Sequence, residues 1–169
     1  RKEMTQQIYE KDSYDEGVQS LQMLQEYYHL LVECETLGAV STDECIHLEW
    51  ESALSGELQR NHGIAYERAN VLWNFVCLEA YQASKQDFSK KQGWSKAAAH
   101  FQNAACWIKQ LQLMPAASVF FDFSDTFLQF WQALLMAQSQ RCVYESLACA
   151  PRPKNLLLAK LAAAAVPLF

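Results

Sequence analysis

Three blocks of this chain, Tyr66 to Asn74, Ala97 to Ala105 and Leu134 to Gln140, interleave small residues, large apolar residues and side-chain amides. Small residues let helix axes approach closely, and an amide taken out of water has to find a hydrogen-bond partner. That mixture restricts the fold sharply. It suits antiparallel helices packed against one another and pinned by buried amides, rather than a cleft built for bond-breaking.

With 169 residues the chain can bury a real core, and a hydrophobic content of 51% argues against disorder, so one domain is the default expectation. A net charge of −5 provides no global positive field to hold a nucleic acid backbone. Nucleic acid is therefore not an expected partner. Cys34, Cys45, Cys77, Cys106, Cys142 and Cys149 fall at irregular intervals, mostly in apolar stretches where a reduced thiol packs as a small hydrophobe. A reducing, cytoplasmic compartment fits that usage. Charged or amide residues interrupt every apolar run before the roughly 18 to 20 residues that a membrane span needs. The chain starts at Arg1 with no apolar leader pattern near it, and reads as an excised piece.

Periodicity gives the elements. Val18, Leu21, Leu24, Tyr28, Leu31 and Val32 recur at three- and four-residue spacing, predicting an amphipathic helix from Tyr14 to about Leu37, capped by Asp12 or Ser13 and closed by Gly38. Cys45 to Trp50 nearly alternates, which predicts a short β segment near residues 44–51 within a small sheet or hairpin. Helices are then expected at about 64–86, 89–113 and 124–149, with Lys85 to Ser89 as a tight polar connection and Ser124 as an N-cap. Trp94, Ala97, Ala98, Phe101, Ala105, Ile108 and Leu111 make one face of the second of these. Pro151 and Pro153 set off a last helix, about Lys154 to Val166, which Pro167 ends. Side chains do not repeat at the period of about 34 residues typical of tetratricopeptide arrays. The fold class expected is mostly α: an irregular antiparallel helical solenoid from 64 to 169, preceded by a strand-and-helix portion at 1–63.

Cys34, Cys45 and His47 are the one grouping with metal-ligand chemistry, and they lack the close Cys pair or second His that a site requires. Neither a metal nor another cofactor is expected. The sequence holds no Gly-rich phosphate loop, no Gly-x-Ser-x-Gly and no His-Glu-x-x-His, so no catalytic residue is assigned. Lys85, Lys90, Lys91 and Lys96 gather around one helix junction. Such a group is ordinarily a solvated surface, and its functional alternative is a weak peripheral contact with an anionic membrane.

Taken in order, the blocks resemble the Bro-one domain family, a helical scaffold found in Alix-like proteins and rhophilins. Tyr27-Tyr28 looks like the family's paired aromatics, and Leu48 to Gly56 is similar to the Glu-Trp-Tyr-Asp-Ser-Leu-Thr-Gly stretch of rhophilins. Tyr66-Glu67-Arg68 through Val71-Leu72-Trp73-Asn74 resembles Tyr-Glu-Lys-x-x-Val-Leu-Phe-Asn. Gly93 to Ala98 with His100-Phe101-Gln102 and Ala104-Ala105 matches the next motif, and Met136 to Gln140 matches Leu-Ala-Gln-Ala-Gln. Trp73, Glu79, Lys91 and Arg141 depart from the family's usual residues. The match covers the leading half or so of a family domain.

The resemblance implies a non-catalytic, cytoplasmic scaffold, recruited to endosomes, that receives the amphipathic C-terminal helix of an ESCRT-III (charged multivesicular body) protein. Carried over, the partner-helix positions are Val143, Leu157 and Leu161. Leu157 and Leu161 are an i, i+4 pair and so share a helix face. The alternative is a rhophilin-like signalling scaffold that does not engage ESCRT-III, to which the small Val143 and the Glu49 to Gly56 stretch point.

Overall fold

The computed structural model describes residues 14–38, 47–52, 55–114, 123–149 and 155–165. Along the chain run α1 (Tyr14–Thr36), β1 (His47–Glu51), β2 (Leu58–His62), α2 (Ile64–Ser84), α3 (Lys91–Gln112), α4 (Asp125–Ala148) and α5 (Asn155–Ala165). The expected helices are all present, and their ends lie within about two residues of the expected bounds. Asp12, Ser13 and Cys45 lie outside the described residues.

β1 and β2 form an antiparallel hairpin in which His47 faces His62 and Glu51 faces Leu58. Alternation along β1 turns half-buried Leu48 and Trp50 one way and exposed Glu49 and Glu51 the other, as a one-sided sheet requires. Arg60 meets Glu49 across the ladder at 2.7 Å. Gly56 closes the turn at φ 69, where its amide donates to the Ser52 carbonyl at 3.0 Å. Gly38, at φ 58, ends α1 in the expected way. Ser124 occupies the N-cap of α4, but its hydroxyl makes no capping bond. Its carbonyl accepts the Leu128 amide instead, at 2.9 Å.

The core lies where α1, α2, α3 and α4 meet. Leu24, Leu72, Phe75, Ile108, Leu111 and Leu128 are buried there with Ala69, Ala104 and Ala105. Each large apolar side chain so buried contributes roughly 1.5–3 kcal/mol, and the alanines allow the backbones to come close. Phe75 stacks on Trp107 at 4.7 Å and receives the edge of Tyr28 at 6.4 Å. Trp73, one of the departures from the family pattern, fills a corner against Phe123, Phe127 and Trp131. Toward the other end of the stack a smaller cluster joins Ala83, Ala97, Ala98 and Cys142, with Trp94, Phe101 and Val143 packed on it. The α3 face is the expected one, to which Gly93 and Ala104 are added.

Cross-helix polar contacts correct the expectation of amide pins. Asn70 and Asn74 donate back to the carbonyls of Tyr66 and Asn70 in their own helix, at 2.9 and 3.1 Å. A short amide on a helix reaches the preceding turn more readily than a neighbouring helix. Carboxylates and hydroxyls do most of the pinning, with Asn103 the amide that does cross to a neighbouring helix. Glu67, 1% exposed, accepts the Tyr27 hydroxyl of α1 at 2.8 Å and the Trp50 indole N–H of β1 at 2.7 Å. Glu79 accepts from His100 at 2.7 Å and from the Asn103 amide at 3.3 Å, tying α2 to α3. Ser139 donates to the Ala98 carbonyl at 3.1 Å, and Ser95 meets Ser146 at 2.8 Å, which sets α4 antiparallel to α3.

The departure noted at Glu79 thus has a structural account: the acid is received by His100 and Asn103. Removing the acceptor and removing the donor should differ in cost. His100→Ala leaves a nearly buried carboxylate with a weaker partner and is expected to lower unfolding free energy by about 2 kcal/mol. Glu79→Ala, which removes the charge as well, is expected to cost less, and urea denaturation of both variants reads the difference.

Candidate functional site

Geometry places the three positions that the resemblance implies for a partner helix at the trailing end of the stack, where α5 packs back on α4. Val143 sits on α4, half-buried against the Ala97–Ala98–Cys142 cluster, so part of its side chain belongs to the core.

α5 reads Asn-Leu-Leu-Leu-Ala-Lys-Leu followed by alanines, and Lys160 is its one charged residue. Helical geometry puts Leu158 and Leu161, three apart, on one side, and both are half-buried. Leu156 is 73% exposed and Leu157 is 40% exposed. Leu157 and Leu161 therefore stand one turn apart at the rim of α5, Leu157 exposed and Leu161 half-buried. Sequence spacing found that pair but missed Leu156 and Leu158. The run of three leucines could have signalled that the helix is too apolar all round for one buried face to use.

The four lysines come together around the connection between α2 and α3, and all four are exposed. Lys90 is bonded to Asp87 at 2.7 Å, and the Lys85 ammonium lies over the Tyr81 ring, 5.1 Å from its centroid. Hydrogen bonds from Lys90, then from Ser89, hold the Asp87 carboxyl at about 2, below its ordinary range. The sequence reading passed over Phe88, a lone aromatic in this polar connection, whose ring lies 4.5 Å from that of Trp94.

Among the described residues no group of His, Cys, Asp and Glu is placed to hold a metal ion, and no helix is long and apolar enough to cross a membrane. Cys34, Cys106, Cys142 and Cys149 are free thiols.

A leading hairpin, an antiparallel helical stack behind it and accessible leucines on its last helix define a helical scaffold of the solenoid class. The chain belongs to the BRO1-like domain family, whose model matches residues 1–169. It is similar to ALG-2 interacting protein X of Dictyostelium discoideum, at 32% identity over 149 residues, covering 85% of this chain and 19% of that protein. Rhophilin-1 of mouse is 30% identical over 98 residues, covering 58% of this chain and 15% of that protein. Human rhophilin-1 is 30% identical over 102 residues. Among solved structures, the ALIX BRO1 domain in a complex with CHMP4C superimposes with a TM-score of 0.79 at 22% identity, covering 94% of this chain and 47% of that one. That likeness shows the fold. The chain spans about a fifth of the length of the Dictyostelium relative.

Proposed function

We propose that this chain is a non-catalytic protein-binding scaffold of endosomal sorting, cytoplasmic and recruited to endosomes, which receives the amphipathic C-terminal helix of an ESCRT-III subunit. The partner helix lies against Val143, Leu157 and Leu161. The observation that carries this reading is the accessible rim of α5, with Leu157 40% exposed one turn before Leu161 on a helix that has a single charge. Apolar side chains at i and i+4 are what a helix-in-groove contact uses. The solved neighbour, described as a complex of ALIX BRO1 with CHMP4C, supports the choice of partner.

Titration calorimetry with C-terminal peptides of charged multivesicular body proteins tests the proposal. Leu161→Asp is expected to weaken binding by tenfold or more, because it places a charge against an apolar anchor. Val143→Phe is expected to tighten it several-fold by adding apolar area. Leu156→Asp, on the outward side of α5, serves as the control and is expected to change little. No binding, or binding indifferent to Leu161→Asp, would remove the reading.

The second reading is a rhophilin-like scaffold fragment without ESCRT-III binding, favoured by the small Val143 and by the similarity to rhophilin-1. It requires that neither the parent chain nor Val143→Phe binds the peptides.

A further inference from the structure

The connection between α2 and α3 combines features that the helix-docking reading does not use. Residues 80–99 hold Lys85, Lys90, Lys91 and Lys96 against Asp87, a local charge of +3 in a chain of net charge −5. The end of α4 that lies beside this corner, located by the Ser95–Ser146 contact, carries exposed Arg141 and half-buried Glu145 and so adds no net charge. Lys90 is the N-cap of α3 and Lys91 its first residue, and the helix has no acidic residue in its first turn. The positive end of a helix dipole ordinarily favours acids there, so these lysines raise an already positive potential.

The loop is also held in shape. Asp87 accepts from the Ser89 amide at 3.1 Å and from the Lys90 ammonium at 2.7 Å, while the Lys90 amide donates to the Asp87 carbonyl at 3.2 Å. Gly93 is buried against the same residue, and a Cβ on it would lie 1.9 Å from the Asp87 carbonyl oxygen. On this clamped turn Phe88 is 37% exposed, with its ring supported by Trp94.

We propose that this corner is a membrane-contact site: Phe88 and Trp94 rest at the headgroup level of an anionic phospholipid bilayer while Lys85, Lys90, Lys91 and Lys96 face its negative surface. Charge complementarity selects the occupant. Each lysine near an anionic leaflet adds a favourable electrostatic increment, and aromatic side chains with an apolar body suit the boundary between acyl chains and water. A partly exposed aromatic pair on a corner with four exposed lysines matches a surface rather than a strand of nucleic acid seated in a groove. The contact is on a different part of the chain from α5 and does not rest on the helix-docking reading.

Co-sedimentation of the 169-residue chain with vesicles of phosphatidylcholine, alone or mixed with phosphatidylserine, tests it. Binding is expected to the mixed vesicles, to weaken as salt rises, and to be far lower to phosphatidylcholine alone. Lys91→Glu with Lys96→Glu is expected to reduce the vesicle-bound fraction on the order of tenfold. The same change puts an acid in the first turn of α3, so thermal stability should hold or rise, which separates lost binding from lost folding. Phe88→Ser is expected to reduce binding several-fold, and Leu161→Asp to leave it unchanged. Equal binding to both vesicle types, no binding to the mixed vesicles, or full binding by the lysine variant would each overturn the proposal.

Discussion

Glu67→Ala is expected to lower the unfolding free energy by about 4 kcal/mol. Glu67 is 1% exposed and its carboxylate accepts from Tyr27 of α1 and Trp50 of β1, so its removal takes a charged acceptor from two half-buried donors at once. A hydrogen bond to a charged acceptor is worth roughly 1.5–3 kcal/mol, and a buried donor left unmet costs about 1–3 kcal/mol. The effects overlap, so they do not add in full. Urea denaturation measures the loss, and Tyr27→Phe supplies the double-mutant cycle. Alone it should cost about 1.5 kcal/mol, and beside Glu67→Ala almost nothing, because the partner has already gone. Amide exchange should rise first in α1 and the hairpin, since Glu67 joins both of them to α2. A loss below about 1 kcal/mol would mean that apolar contacts alone hold the leading segment.

Gly93→Ala reverses an ordinary sign. In an exposed helix interior, glycine to alanine stabilises by about 1 kcal/mol because the backbone loses less freedom on folding. Here the added Cβ falls 1.9 Å from the carbonyl oxygen of Asp87 and 2.5 Å from its carbon, which are backbone atoms of a turn fixed by its own hydrogen bonds. The turn has to move. The expected loss is about 3 kcal/mol or more, visible as a lower melting temperature. Ala99→Gly, on the exposed side of the same helix, is the companion measurement and should cost about 1 kcal/mol. If Gly93→Ala were neutral or stabilising, the close approach of the loop to α3 would be wrong, and the rigid presentation of Phe88 with it.

Much of the architecture was legible beforehand because it rests on local chemistry. Helical periodicity along Leu21 to Leu31 and along Ala97 to Leu111 marks the faces that become buried, and alternation at Leu48 and Trp50 marks the hairpin. Gly38 stops α1 because its φ of 58 is open to glycine without penalty. The cross-helix pins were not legible. Glu67 and Glu79 look like surface acids in the linear string, and only the approach of α1, β1 and α3 supplies the donors that let them be buried. Conversely, Asn70 and Asn74 suggested interhelical bonds and turned back on their own helix.

The candidate sites divide in the same way. The i, i+4 relation of Leu157 and Leu161 follows from sequence because helical pitch is a constant, and so does the clustering of four lysines within a dozen residues. Which leucine faces inward does not follow, since α5 has apolar residues on every side. Packing on α4 decides that Leu158 and Leu161 are half-buried while Leu156 and Leu157 remain accessible. Sequence alone determined that this chain forms close-packed helices with a small hairpin, because backbone propensity and the period of apolar residues are local properties. Tertiary structure alone decided which acids are buried, which loop is clamped and which leucines stay in water, because each depends on atoms supplied by a distant part of the chain.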